Sequence, residues 1–161
     1  MSTMNPLIRT YQRFLQWPFG RWMFSRAVCF KAPYFGSIHP IITGLEAGRC
    51  EAHISHRRSV QNHIGSVHAI ALCNLAELCA GVMTDASIPA DMRWIPKGMT
   101  VSYLKKAMGR QTGIAQPMAP IVSATHGYEV PVQVEVHDPG GEPTFRAVVT
   151  MWLSPKQKSA R

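Results

Sequence analysis

The feature that most constrains the fold is a long apolar run that contains one acidic side chain. Residues 67–83 are almost entirely apolar, and Glu77 is the acid within them. A helix that is apolar nearly all round must be buried, and a carboxylate buried without a partner is costly enough to shift its pKa or to require hydrogen bonds. We therefore predict a central core helix over this run, in which a buried Glu77 has a function.

The N-terminal segment is basic and aromatic, because the first 45 residues contain no Asp or Glu. Four apolar residues recur at helical spacing and predict one amphipathic helix: Leu7, Tyr11, Phe14 and Leu15. Pro18 and Gly20 end or restart this helix. Four aromatic residues are predicted to dock on the protein's own sheet or on a subunit partner: Trp17, Phe19, Trp22 and Phe24. Contact of this segment with a membrane surface is the alternative.

Beyond this segment the pattern becomes that of strands. Residues 40–45 and 50–56 flank a glycine-containing turn and predict a hairpin. A loop containing Pro89 and Pro96 is expected after the apolar helix. Alternating apolar residues then predict four further strands, the last two joined by the turn 137–142: 99–103, 111–118, 130–136 and 144–153.

These elements predict an α+β fold in which an antiparallel sheet wraps around one long helix. A length of 161 residues and a 46% hydrophobic share suit a single core. We expect an N-terminal amphipathic helical extension over 1–35, the sheet-and-helix domain over 36–155, and a basic tail over 156–161.

Composition leaves several classes of partner open. The net charge of +8 favours a polyanionic partner, but phosphate-bearing cofactors, nucleic acid and anionic membranes fit it equally.

The four cysteines show no CxxC pairing, which favours small buried thiols in a reducing compartment. No stretch approaches the roughly 20 apolar residues that span a bilayer, and arginines interrupt any signal-peptide core. We predict a cytoplasmic protein.

A short motif carries a resemblance to a known family. Asn62-x-x-Gly65-x-x-His68, with Glu77 nine positions later, resembles the signature of hotdog-fold acyl-CoA thioesterases of the phenylacetate-degradation type. It is also similar to a hotdog branch of unassigned function. The resemblance covers about residues 36–155 and implies a hotdog fold, in which the acid on the central helix is the nucleophile or the base that activates water.

The motif departs from the family at the start of the helix. The family usually has His-Gly-Gly where this chain has His68-Ala69-Ile70. The larger side chains leave less room for a substrate carbonyl to come close to the backbone. The departure favours a binding function, whereas the acid favours catalysis.

Thioester hydrolysis needs an activated oxygen nucleophile and backbone N–H groups aimed at the carbonyl oxygen. Glu77 would supply the first, and Gly65 with the amides near His68 and Ala69 would form the oxyanion site. Ala69 and Glu77 lie about 12 Å apart along one helix axis, whereas reacting groups meet within about 3.5 Å. We therefore predict a homodimer, or a dimer of dimers, in which two antiparallel helices share the site and Asn62 orients water or thioester.

Further residues are predicted to contact substrate. His63 and Asn74 lie near the motif, and four basic residues are expected to hold the phosphates of coenzyme A by charge-assisted bonds: Arg57, Arg58, Lys105 and Lys106. The structural alternatives are solubility for the basic residues, a turn for Asn62, a helix-start role for His68, and an Asn74–Glu77 hydrogen bond.

Other chemistries have little support in the sequence. His53 and His56 share no ligand set with a Cys or an acid, so no metal is predicted. Serine-hydrolase elbows, nucleotide-binding fingerprints and base-stacking motifs do not occur.

Two functions remain: an acyl-CoA thioesterase with coenzyme A only as part of its substrate, and a non-catalytic acyl-thioester or fatty-acyl binding module. The sequence leaves acyl length, and coenzyme A against acyl carrier protein, undecided.

Overall fold

The computed structural model describes residues 4–157, so only the first two positions of the predicted basic tail, 156–161, lie within it. Residues 4–157 contain three α-helices: α1 (Pro6–Phe14), α2 (Gly20–Lys31) and α3 (Ala69–Ser87). Short 3₁₀ helices occupy Pro33–Ile38 and Arg58–Val60. Six strands complete the fold: β1 (Ile41–Glu46), β2 (Arg49–Ile54), β3 (Met92–Tyr103), β4 (Gln111–Pro117), β5 (Tyr128–His137) and β6 (Pro143–Pro155).

The six strands form one sheet in the order β1-β2-β4-β5-β6-β3, and every neighbouring pair is antiparallel. The sheet wraps around α3, whose buried residues join those of the inner strand faces in one core. Along β5, Val130, Val132, Val134 and Val136 are fully buried. The predicted α+β layer of an antiparallel sheet around one long helix is confirmed.

Helix α3 begins two residues later and ends four residues later than the apolar run that predicted it. Its start follows from a cap on His68, whose ring accepts a hydrogen bond from Ile70 N. The helix is long and apolar enough to cross a membrane, contrary to the expectation that no stretch approaches this length. However, 72% of its most apolar window, of mean hydropathy 1.4, is buried in the protein. It is the core helix.

Strand β3 is the largest departure from the predicted secondary structure. Pro96 was expected in a loop, but it lies inside β3, where the pairing with β6 shifts between Pro96 and Gly98. Proline is tolerated here because β3 is an edge strand. On its open side no neighbouring strand needs a hydrogen bond from the N–H that Pro96 lacks. The predicted strand 99–103 is the second half of β3. The half before it was missed because most of its residues are exposed, which removes the alternation that marks a half-buried strand.

The N-terminal segment folds as two helices that break between Phe14 and Gly20, as predicted from Pro18. Its buried contacts with the core include Ile8, Tyr11 and Phe24, and partly buried Leu7, Phe14 and Val28 pack beside them. The Tyr11 and Phe24 rings meet edge to face at 4.9 Å. Docking of the four aromatic residues on the protein's own sheet is wrong for three of them, whereas their docking on a subunit partner stays a prediction. Trp17, Phe19 and Trp22 are exposed, as is Leu15 of the predicted stripe.

Candidate active site

A loop before α3 holds the motif residues in a fixed conformation. Asn62 Oδ1 accepts hydrogen bonds from the backbone N–H groups of Ile64 and Ser66, each at 3.1 Å. Asn62 Nδ2 donates to Ser66 Oγ at 2.8 Å. Gly65 closes the loop with φ of 80°, a conformation that favours glycine. The whole Asn62 amide is thus engaged by its own loop, which gives it the turn role, and its orientation of water stays a prediction.

His56 clamps this loop to the segment that precedes β4. Its Nδ1 accepts a hydrogen bond from the Gly109 N–H at 3.0 Å, so the proton of the neutral ring lies on Nε2. Nε2 then donates to the Gly65 carbonyl at 2.9 Å. The sequence analysis considered His56 only as a metal ligand and rejected that role. Its positioning role depends on a partner 53 residues away, which no local pattern reveals.

The start of α3 is capped by His68, the predicted helix-start residue. Its Nδ1 accepts from the Ile70 N–H at 3.0 Å, and its carbonyl accepts from the Ala71 N–H at 3.0 Å. The His68 N–H donates to the Val60 carbonyl at 2.7 Å. The first turn therefore satisfies most of its own amides.

The predicted oxyanion site of Gly65, His68 and Ala69 is wrong in part, because two of its three N–H groups already donate hydrogen bonds within the chain. The Gly65 N–H donates to the Asn62 carbonyl at 3.1 Å, and the His68 N–H is also occupied. Within residues 4–157, only the Ala69 N–H of these three lacks an acceptor. It lies at the positive end of the helix dipole, where backbone amides attract negative charge.

Glu77 is exposed, so its predicted burial is wrong for the single chain. The sheet covers the other sides of α3, but one stripe faces outward and carries Ile70, half-buried Cys73 and Glu77. No hydrogen bond or ion pair of Glu77 occurs within the described residues. The expected alternative bond to Asn74 is also absent there, since Asn74 Nδ2 donates instead to Ser37 Oγ at 3.2 Å.

The outward stripe continues onto the neighbouring edge strand. Cys73 Sγ lies 3.5 Å from the Tyr103 hydroxyl, and this contact raises the pKa of Tyr103. Met99 lies on the same face of β3 as Tyr103, and both are exposed. We call these five residues, Ile70, Cys73, Glu77, Met99 and Tyr103, the open face. An uncovered edge strand beside an apolar surface is typical of a site that a second chain covers.

A cavity of about 360 Å³ lies at the start of α3. It is bounded by the first 3₁₀ helix, by residues 59–61 and by the first turns of α3. Asn74, a predicted substrate contact, is buried in its wall, and its Oδ1 has no hydrogen-bond partner in the described structure. Sequence reasoning missed three other lining residues, Tyr34, Ser37 and Gln61, because they come from segments outside the motif.

The predicted phosphate-binding residues are not all free. Lys105 Nζ pairs with Asp138 Oδ2 at 2.8 Å, and this bond lowers the pKa of the Asp138 carboxyl. Arg57 Nη2 donates to the Ser37 carbonyl at 3.0 Å. These two side chains therefore have structural partners.

Arg58, Lys106 and His63 are exposed and have no side-chain partner among residues 4–157. The Val67 N–H donates to the Ala107 carbonyl at 2.9 Å. The segment that carries Lys106 consequently lies beside the loop before α3. Lys106 and the exposed Arg58 remain as cations that could meet an anionic group near the loop.

No cluster of three His, Cys, Asp or Glu side chains able to hold a metal occurs in residues 4–157. All four cysteines are free thiols, and Cys29, Cys50 and Cys79 are buried. Contact with Cys79 and burial raise the pKa of Cys50, which keeps that thiol neutral. The predicted small buried thiols are seen for these three, whereas Cys73 is half-buried and belongs to the open face.

The strand order and the single wrapped helix define the hotdog fold, and comparison with solved structures agrees. The Pseudomonas aeruginosa protein PA5026, described as a probable thioesterase, has 23% identity and a TM-score of 0.70, over 80% of this chain and 91% of that one. Thioesterase HI1161 from Haemophilus influenzae has 12% identity and a TM-score of 0.68, over 80% and 87% of the two chains.

The chain belongs to the family described as Domain of unknown function (DUF4442), whose model matches residues 20–153. A crystal structure described as genomics APC5556 has 44% identity and a TM-score of 0.79, covering 93% of this chain and 99% of that one. No curated protein sequence matches. The family and fold are thereby shown.

Proposed function

We propose that the protein is an acyl-CoA thioesterase-like hydrolase whose active site is built from two copies of the chain. The observation that carries this proposal is an unpartnered carboxylate, Glu77, in the middle of the uncovered apolar open face. An isolated acid on such a surface loses water once the surface is covered, and desolvation makes a carboxylate a better base.

The second component of the site is the free Ala69 N–H at the start of the same helix. It lies eight residues from Glu77, a rise of about 12 Å, so one helix cannot place both groups on one carbonyl. Two copies of α3 packed antiparallel place the Ala69 of one beside the Glu77 of the other. The free edge of β3, next to the open face, provides a surface for this contact.

In this arrangement Glu77 activates a water molecule or attacks the thioester carbonyl. The Ala69 N–H and the positive helix end stabilise the oxygen that becomes negative. Asn62 and His56 hold the loop that precedes this helix. Arg58 and Lys106 bind the phosphates of coenzyme A, which enters only as part of the substrate. The cavity beside Asn74 accepts part of the acyl-thioester.

The fold and the descriptions of similar structures support this proposal. PA5026 is described as a probable thioesterase and HI1161 as a thioesterase. Both share the fold with this chain at low identity. The residues of the open face supply the chemical argument.

The alternative is a non-catalytic acyl-thioester binding module, and one observation favours it. Ile70 replaces the second glycine of the usual family motif, and 56% of its surface is exposed on the open face. An apolar side chain there contributes to ligand or subunit contact and leaves less room for a water molecule beside the helix start.

Substitution of Glu77 by Gln tests the proposal, because it keeps the shape and removes the basic oxygen. We expect the wild-type protein to release free thiol from at least one of a short, medium, long and aromatic acyl-CoA. Turnover by Glu77→Gln should fall by at least about 10²-fold, the scale of a lost acid–base group. The variant should stay folded, because Gln keeps the shape of the side chain and Glu77 makes no hydrogen bond or ion pair within residues 4–157.

Glu142→Gln, an exposed acid in the β5–β6 turn, is the matched control and should keep full activity. A folded Glu77→Gln protein with near wild-type turnover removes Glu77 from the mechanism. Binding of acyl-CoA by the wild type without any thiol release selects the binding module.

A further inference from the structure

Helix α2 presents an apolar stripe to solvent along its whole length. Steps of 100° per residue place five residues and the Phe19 cap on one side of the helix: Phe19, Trp22, Met23, Arg26, Ala27 and Phe30. Phe19 is 83% exposed, Trp22 55% and Phe30 91%. Phe24 and Ser25, on the other side of the helix, are buried, as is Cys29 at the edge of the stripe. We call Phe19, Trp22, Met23 and Phe30 the α2 stripe.

The start of this stripe is held by a strained, tightly packed turn. Phe19 adopts φ of 61°, a left-handed conformation uncommon for an aromatic residue. A Cβ at Gly20 would lie 1.8 Å from the Phe14 carbonyl oxygen, so the ends of α1 and α2 meet with no room for a side chain. Phe24 packs beneath the turn, 4.9 Å from the Tyr11 ring and 5.9 Å from the Phe14 ring. The exposure of Phe19 is therefore a feature of the packed fold.

The surroundings of the stripe are basic. Residues 4–45 contain no acid, and they carry five cations: Arg9, Arg13, Arg21, Arg26 and Lys31. The ion pairs found within residues 4–157 include none of these five. The segment thus combines exposed aromatic side chains with uncompensated positive charge.

The α2 stripe lies away from the open face. Helix α2 packs against β1, and β1 and β3 are opposite edges of the sheet. A dimer formed through the free edge of β3 therefore uses the sheet edge opposite to the one on which α2 packs. A second copy placed on the stripe by two-fold symmetry would bring its cations close to their own counterparts, which costs Coulomb energy.

We propose that the α2 stripe docks the protein on an anionic membrane surface. Tryptophan and phenylalanine side chains enter the interfacial region of a bilayer, and tryptophan places its indole N–H among the headgroups. Arg26, on the same side of the helix as the stripe, and the other cations of residues 4–45 attract the anionic phosphates of the lipids. Aromatic anchors combined with basic residues, without any acid, are typical of a helix that lies on a membrane.

Flotation of the full-length protein with lipid vesicles tests this inference. We expect binding to phosphatidylcholine vesicles that contain phosphatidylglycerol, weaker binding to phosphatidylcholine alone, and a decrease with added salt. The double variant Trp22→Gln/Phe30→Gln should bind at least about 10-fold more weakly, since it removes two interfacial aromatic side chains. Arg13→Gln/Lys31→Gln should lose binding to the anionic vesicles only.

The matched control is Met118→Gln/Val122→Gln, which changes two exposed apolar residues between β4 and β5 and should keep wild-type binding. Melting temperatures of all variants should match the wild type. Failure of the wild type to float with anionic vesicles overturns the inference. So does equal loss in the control, or a sedimentation change showing that Trp22→Gln/Phe30→Gln separates two copies. Thioester turnover is independent of these outcomes.

Discussion

Ala69 occupies the first position of α3, where a residue can lose its N–H without harm to the helix. Proline is favoured there, and the extended conformation of His68, with φ of −62° and ψ of 138°, suits a residue before proline. Ala69→Pro therefore removes the proposed oxyanion donor and little else.

We expect Ala69→Pro to lower thioester turnover by about 10²–10³-fold, the scale of a lost oxyanion donor, and to leave the melting temperature unchanged. Assays of free thiol and thermal unfolding measure the two effects. Ala69→Gly keeps the N–H and should remain active. A Pro variant as active as the Gly variant would exclude this amide from the mechanism.

His53 gives the stability of the protein a dependence on pH. Burial lowers the pKa of this histidine below its ordinary value of 6.5, and nearby Arg110 acts in the same direction. In the window between the lowered pKa and 6.5 the unfolded chain binds more protons than the folded one. Stability is therefore fully present above pH 6.5 and decreases as the pH falls below it.

Replacing His53 by Gln should reduce this loss. We expect the melting temperature of His53→Gln to fall less than that of the wild type when the pH is lowered from about 7.5 to about 5.5. His126→Gln, at an exposed loop position, should follow the wild type. Parallel curves for His53→Gln and the wild type would show that His53 does not cause the dependence.

At the scale of secondary structure, strong periodicity made most elements predictable. The valines of β5 alternate without interruption, and the apolar run marks α3, so both were located to within a few residues. The second half of β3 was predicted from such a period, but the first half carries none and contains Pro96. Only the order of the strands shows that this proline lies on an edge strand, where it is tolerated. Local pattern predicts an element best when one of its faces is buried.

The turn between α1 and α2 depends on one glycine. Because a Cβ at Gly20 would overlap the Phe14 carbonyl, Gly20→Ala must separate the two helices. We expect a loss of about 1–3 kcal/mol in the free energy of unfolding, measured by urea denaturation. Gly36→Ala, whose Cβ would meet only Cys29 Cβ at 3.9 Å, is the control. Equal stability of the two variants would contradict the close packing of this turn.

At the scale of the whole molecule, the sequence predicted the fold better than the environment of the site. The motif located Glu77 on the central helix, but the apolar pattern could not show which stripe of α3 the sheet leaves uncovered. Glu77 is consequently exposed in one chain, where burial was expected. The predicted homodimer would explain both the expected burial and the exposure in one chain, because a second copy over the open face would bury this carboxylate.

The shared site can be tested by combining two inactive chains. Glu77→Gln and Ala69→Pro are co-expressed with different affinity tags, and the heterodimer is purified through both tags. One of its two sites then pairs an intact Ala69 N–H with an intact Glu77 from the other chain. We predict that the heterodimer recovers about half of the wild-type turnover, since one of two symmetric sites is complete. A heterodimer as inactive as its parents would show that both groups act from the same chain and would contradict the shared site.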